Sequence, residues 1–357
     1  MWGAVGILHW LRQGCPLSPT LFGLLADGLH RLLQAVAVAD GIPVGQSLTV
    51  TDLAYADDFC FVSSTAGGLQ RMIDAADLWC QAVGMVPSPG KTKVMEMTGS
   101  AAAGLQWTCA GQAVEQVAEM RYLGVIFAAG QGFLPSLPRM AGRMWAAWAL
   151  LWKQYGTLDA EAGVWLTLQL YQACVVPAGA YGCELWGVWP LRGGRRRPRD
   201  ELNRVYFEQL RHLAGVRKTV ATDILLEELQ QQPLAHIWLL RAAGLWNSLV
   251  GGSAFHLHIL QDAVRLAIVG RARNWVSGLL EALDHAGYRP QLQAGELQAI
   301  DMGHLRSLLR AQQQSVWGDL DICPRTTESE GARRCTYARW FSSGGLSGAG
   351  LQCCACH

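Results

Sequence analysis

Carboxylates are missing from the start of the chain: Met1 to Arg12 contains neither Asp nor Glu. A large charge imbalance is missing as well. The 29 Lys and Arg against 28 Asp and Glu leave a formal net charge of +1, so no global basic field draws the chain to nucleic acid, and any such contact must come from local clusters. Eleven cysteines occur, but without framework spacing, and their odd number argues against structural disulfides and for reduced thiols in the nucleus or cytoplasm. The apolar first eleven residues lack the basic start and small-residue cleavage site of a secretory leader. Tyr171 to Leu191 has the length of a membrane span with Glu184 as its only charge. Pro177, three glycines and that mid-segment carboxylate count against insertion, so the segment reads as a buried helix pair and no membrane partner is expected. No internal repeat is visible.

What is present is ample apolar material, 51% of 357 residues, enough for two or three domains with buried cores. Pro19 to Val38 reads as a helix entered through Ser18-Pro19, with Leu21, Leu24, Leu25, Leu29, Leu32 and Leu33 as its apolar stripe and Gly41 beyond its end. Leu48 to Tyr55 and Phe59 to Val62 read as strands, and Gly68 to Val83 as a second amphipathic helix. Val94 to Met97, Leu105 to Cys109 and Tyr122 to Phe127 are further strand candidates. From Pro138 to Trp317 the pattern is helical, with breaks at Pro177, Arg192 to Pro198, Pro233 and Pro290, and the residues after Pro324 are rich in Gly and Ser.

The chemistry-bearing segment is Tyr55-Ala56-Asp57-Asp58 between the two apolar strands. Adjacent carboxylates at a hairpin tip can hold divalent cations against a triphosphate and a primer hydroxyl, although Asp in a tight turn is also commonplace without chemistry. Upstream stands Arg12-Gln13-Gly14-Cys15-Pro16-Leu17-Ser18-Pro19, and downstream stand Gly90-Lys91-Thr92-Lys93 and Arg121-Tyr122-Leu123-Gly124. Lys91 reads as an aid to pyrophosphate departure or as a helix-end cap. A phosphate-binding NTPase loop at Pro89 to Thr92 fails, because Met85 stands where that loop needs glycine. Arg192, Arg195, Arg196, Arg197 and Arg199 give a dense local field suited to phosphate, or a solvated linker. Trp145, Trp148 and Trp152 recur on one helix face and read as core rather than as a base-stacking platform. Cys353, Cys354, Cys356 and His357 are too closely spaced for an ordinary zinc site.

Taken together in this order, the motifs resemble the reverse transcriptases of non-long-terminal-repeat (LINE-type) retrotransposons, with group II intron enzymes as more distant relatives. The resemblance implies RNA-directed DNA polymerase chemistry, with Mg2+ or Mn2+ as cofactor and an RNA template, a DNA primer and deoxynucleoside triphosphates as partners. It assigns Asp57 and Asp58 to metal. It assigns Arg12, Gln13, Gly14, Ser18, Pro19 and Tyr55 to template and nucleotide, Lys91 to catalysis, and Tyr122, Leu123 and Gly124 to the primer. The family's Gly-x-x-x-Asn-x-x-Lys-Thr stands here as Gly84, Ser88, Lys91 and Thr92, with serine replacing asparagine. Tyr171, Pro177, Tyr181-Gly182, Glu184-Leu185-Trp186 and Phe207 to Gly215 with Pro233-Leu234 resemble the thumb and the region beyond it.

The implied fold is α+β. A partial polymerase palm over 1–130, a β-hairpin with packed helices, precedes an all-α region: a thumb-like segment over 131–191, a basic loop over 192–200, a helical domain over 201–322 and a loose tail over 323–357. Two departures matter. The family's second metal-binding aspartate lies further upstream of the Gln-Gly segment than this chain extends, with the fingers before it, and Trp10 stands where the family has glycine. Of the nearest substitutes, Asp27, Asp40 and Asp52, none is well placed. The expectation is therefore an N-terminally truncated palm and thumb, inactive without a missing upstream polypeptide segment, with a non-catalytic nucleic-acid-binding remnant as the alternative. An unpaired apolar sheet edge beside the hairpin is expected to promote association.

Overall fold

The computed structural model describes residues 15–44, 48–97, 106–155, 166–193, 200–270, 274–290, 292–293 and 296–318. The chain divides into two compact units, Met1–Gly132 and Phe133–His357.

In the first unit, helix α1 (Ser18–Ala37) carries Pro19 in its first turn, where a missing N–H removes no helix bond. A single 3-10 turn, Val38–Asp40, extends it. Helix α2 (Ala66–Ala82) opens on Thr65, whose hydroxyl accepts the Gly68 N–H at 3.0 Å, and closes at Gly84, whose positive φ of 72° lets Met85 N–H return to the Cys80 carbonyl at 2.8 Å. Two faces of α2 are apolar. Met72 and Ala75 pack with Leu29, Leu33 and Ala37 of α1, and Ile73 packs with Val94, Trp107, Cys109 and Val114.

Among the described residues of this unit are nine short strands: β1 (Ile42–Val44), β2 (Leu48–Val50), β3 (Asp52–Tyr55), β4 (Asp58–Phe61), β5 (Lys93–Val94), β6 (Trp107–Cys109), β7 (Gln112–Gln116), β8 (Glu119–Tyr122) and β9 (Val125–Ala128). They pair as β1-β2, β3-β4, β5-β7-β6 and β8-β9, with β5-β7 the one parallel pair of this unit among the described residues. Three expectations need correction here. The strand expected over 48–55 is interrupted at Thr51 and joins two separate hairpins. The strand expected over 122–127 is a hairpin, because Leu123 and Gly124, at φ 46° and 84°, reverse the chain. The strand expected over 94–97 is confined to Lys93 and Val94.

The second unit is mostly helical. Helix α3 (Ser136–Tyr155) buries Met140, Met144, Trp148 and Leu151, and the helix Glu201–Leu213, capped by Asp200 through the Asn203 N–H at 2.8 Å, buries Leu202, Tyr206 and Leu210. Buried Tyr171 lies edge-on to Trp148 at 5.8 Å and donates to Gln209 at 3.0 Å. Further helices span Thr222–Glu228, Leu234–Val250, Ala254–Ile268, Trp275–His285 and Met302–Gly318.

This unit departs from the expected pattern in three places. A small hairpin pairs Leu292–Gln293 with Glu296–Leu297, so the unit is not purely α. Tyr171 to Leu191 is largely buried but is not a helix pair. A π turn (Tyr171–Val175) runs into Val176–Gly179, whose first turn accommodates Pro177, and Gly182 at φ 67° separates that helix from Cys183–Trp186 and Val188–Leu191. Of the three tryptophans on α3, Trp148 is core, whereas Trp145 and Trp152 are 44% and 37% exposed, because the buried stripe follows Met140, Met144, Trp148 and Leu151. By length and composition the stretch Ser18–Asp40, mean hydropathy 1.3, could cross a membrane. Its Leu29, Leu33 and Ala37 face is occupied by α2.

Candidate active site

The β3-β4 hairpin closes in the tightest form. Asp52 pairs with Phe61, Leu53 with Cys60, Ala54 with Phe59 and Tyr55 with Asp58, leaving Ala56 and Asp57 as the turn. Only Ala56 of these two has positive φ, 54°, which matches a II′-type reversal compatible with strand twist. Directly paired residues share a face, so the ladder is two-sided. Phe59 and Phe61 pack against the α1–α2 core, while Leu53, Tyr55 and Asp58 are exposed on the other face. Asp57 and Asp58 thus stand exposed at the tip of the hairpin.

Tyr122 ends β8 and pairs with Val125. Its phenol pKa is raised first by burial and then by the negative charge of Cys60 and Asp58. Leu123 and Gly124, assigned to the primer by the resemblance, are the β8-β9 turn itself. Lys91 is exposed in a turn gathered by the Ser88 carbonyl, which accepts the Lys91 and Thr92 amides and the Thr92 hydroxyl, each at 3.0 Å. Ser18 and Pro19 form the first turn of α1. Arg12, Gln13, Gly14, Arg195, Arg196, Arg197, Arg199 and the C-terminal Cys353, Cys354, Cys356 and His357 lie outside the described residues.

Arg192 is described, and its guanidinium is turned into the protein. Nη2 donates to the Asn274 carbonyl at 2.9 Å and the group lies 4.0 Å over the Trp189 ring. Those contacts make it a packing element of the second unit.

The substitutes for a further carboxylate are all engaged elsewhere. Asp27 pairs with Arg31 at 2.7 Å one helical turn on. Asp40 holds Arg71 and accepts from Thr65, which keeps its carboxyl below the ordinary value, and its backbone carbonyl accepts from Ser63 and Ser64. Asp52, its side chain 2% exposed, accepts from His30 and Thr51. Sequence reasoning missed that last network, and its signal was Asp52 itself, a charge at the buried end of an apolar strand. Every Asp and Glu of residues 1–132 lies among the described residues, and no three His, Cys, Asp or Glu side chains there converge as metal donors. Asp57 and Asp58 offer the hard oxygen donors that Mg2+ favours. A bridged pair of cations needs another carboxylate from a neighbouring strand, and Asp27, Asp40 and Asp52 are each engaged by other partners.

Residues 6–127 match the family model for reverse transcriptase (RNA-dependent DNA polymerase). A transposon-derived protein of Caenorhabditis elegans, itself uncharacterised, is 27% identical over 146 residues, which are 38% of this chain and 49% of that protein. The family match supports a reverse transcriptase over residues 6–127. The chain spans about half the length of that relative. The reverse transcriptase match takes in the whole Asp57–Asp58 hairpin, both packed helices and the β8-β9 turn.

Proposed function

We propose that residues 1–130 are part of the palm of an RNA-directed DNA polymerase from a LINE-type retrotransposon, in which Asp57 and Asp58 hold the divalent cation. The tip geometry carries this reading: two exposed adjacent carboxylates on a two-residue reversal. On this reading a further polypeptide segment supplies the second aspartate, and the chain is inactive without it; the engagement of Asp27, Asp40 and Asp52 by other partners supports it. Tyr171 to Trp186 and the helices after it take the place of thumb and following region in this scheme. A second reading, a non-catalytic nucleic-acid-binding protein, is favoured by α3, which has no Asp or Glu, carries Arg139, Arg143 and Lys153, and leaves Trp145 and Trp152 half-exposed.

Primer extension on an RNA template with Mg2+ or Mn2+ separates the two. The chain alone gives no product, and a reverse transcriptase segment supplying fingers and the aspartate strand restores it. The Asp57→Asn, Asp58→Asn double variant abolishes the restored synthesis. Synthesis that survives the double substitution rejects the assignment, whereas salt-sensitive RNA binding with no restorable synthesis favours the second reading.

A further inference from the structure

Asp52 is the first residue of the strand that ends at the Asp57–Asp58 tip, and it is the carboxylate of the first unit most enclosed by its surroundings. His30 Nδ1 lies 2.9 Å from Oδ1 and 3.1 Å from Oδ2. A carboxylate only accepts, so the imidazole carries its proton on Nδ1. Thr51 Oγ1 donates to the same carboxylate at 2.8 Å and in turn accepts from Gln34 Nε2 at 3.0 Å. His30 and Gln34 are one turn apart on α1, so a single helix face grips both residues at the foot of the hairpin. Among the described residues β3 has one strand partner, β4. The polar grip is therefore what fixes the β3 foot to the helical layer from its own side.

We propose that His30 is a positioning residue: through Asp52 it fixes the height and orientation of the hairpin that presents Asp57 and Asp58. Without the imidazole, Asp52 keeps a buried charge with one donor fewer, and the favourable response is for the strand foot to move out toward water. Displacement at the foot of a four-residue strand is transmitted to its tip. Only the functional importance of the tip rests on the reverse transcriptase reading, since the mechanical coupling stands on the contacts alone.

Amide hydrogen exchange on the full chain tests the coupling directly. Val62 N–H donates to the Thr51 carbonyl at 2.8 Å, which places the Leu53 and Cys60 amides among the bonded positions of the ladder. His30→Ala should speed exchange at Leu53, Cys60 and Val62 by about tenfold or more relative to Met72 and Ile73 in α2. Asn places a side-chain N–H near the Nδ1 position, so His30→Asn should restore most of the protection. A change that is absent, or equal in the hairpin and α2, overturns the proposal, because a merely stabilising contact acts on both together. In restored primer extension, His30→Ala should lower the synthesis rate with nucleotide KM unchanged. An unchanged rate would overturn positioning of the tip. Persistent synthesis by the Asp57→Asn, Asp58→Asn variant would instead reject the functional reading, with hydrogen exchange still deciding the coupling.

Discussion

Tyr55 and Asp58 face each other as the last pair of the β3-β4 ladder, so the whole reversal falls on Ala56 and Asp57. Ala56 bears the cost, since its φ of 54° is a region that side chains with a Cβ rarely occupy. Ala56→Gly should leave stability unchanged or slightly raised, the relief of strain offsetting the greater freedom of the unfolded chain. Ala56→Val should cost about 1–2 kcal/mol. Urea denaturation of the three proteins measures both, and equal stability of the glycine and valine variants would show the turn to adopt another form.

Arg192 separates structure from binding in the basic segment. Its contacts with Asn274 and Trp189 tie two elements of the second unit together. Arg192→Gln should therefore lower the unfolding midpoint while leaving the salt dependence of RNA binding unaltered. Replacing Arg195, Arg196, Arg197 and Arg199 by Gln should do the reverse, flattening the slope of log affinity against log salt by about 0.7 for each single-strand phosphate that these arginines neutralise. Fluorescence anisotropy across a salt series reads this, and a slope reduced by Arg192→Gln alone would return that residue to the phosphate-binding set.

Much of the first unit was legible because its periods are clean. The α1 stripe at 3.6-residue spacing and the apolar run after Asp57–Asp58 each specify one element, and α1 and β4 form within one residue of the expected bounds, whereas the strand before the turn is shorter than expected. Leu21 and Leu24 belong to the same stripe yet are exposed, because the buried run of α1 begins only at Leu29. Strand β7 was illegible: Gln112-Ala-Val-Glu-Gln buries Val114 alone and carries no apolar alternation. The resemblance places a turn at Leu123-Gly124, but residue pattern alone runs a strand across it, because a leucine stands in a conformation that turn chemistry reserves for Gly and Asn. The His30–Asp52 grip joins residues 22 apart in sequence, and no local pattern announces such a pair.

Cys183 gives the second unit a defined alkaline weakness. Burial raises its thiol pKa from an ordinary 9.0 to about 12, with Glu184 adding to the rise and Arg241 opposing it. A folded value above the unfolded one means that the stabilisation is complete below pH 9 and is lost as pH rises toward 12, because the unfolded thiol ionises first. Cys183→Ala should flatten the fall of stability over that window, measured as the pH slope rather than the absolute value, since the substitution also removes packing. Buried Tyr171 and Tyr206, whose phenol pKa values burial also raises, should keep the remaining slope above pH 10. An unchanged slope in Cys183→Ala would mean that the thiol ionises equally in both states.

The outer face of β3-β4 makes the last prediction. Leu53 and Tyr55 are 46% and 65% exposed on a two-stranded sheet that has no further strand among the described residues. Apolar side chains beside unpaired backbone groups form a template for strand addition, either by the segment that completes the palm or by another copy of the chain. The protein should therefore associate with rising concentration. Leu53→Lys should suppress that association with little loss of stability, because it adds charge at a side chain that is already 46% exposed. Sedimentation velocity over a concentration series distinguishes the outcomes. Association unaffected by Leu53→Lys would place the interface elsewhere, and a monomer at every concentration, with slow amide exchange over Leu53 to Val62, would show that the sheet is closed on its own.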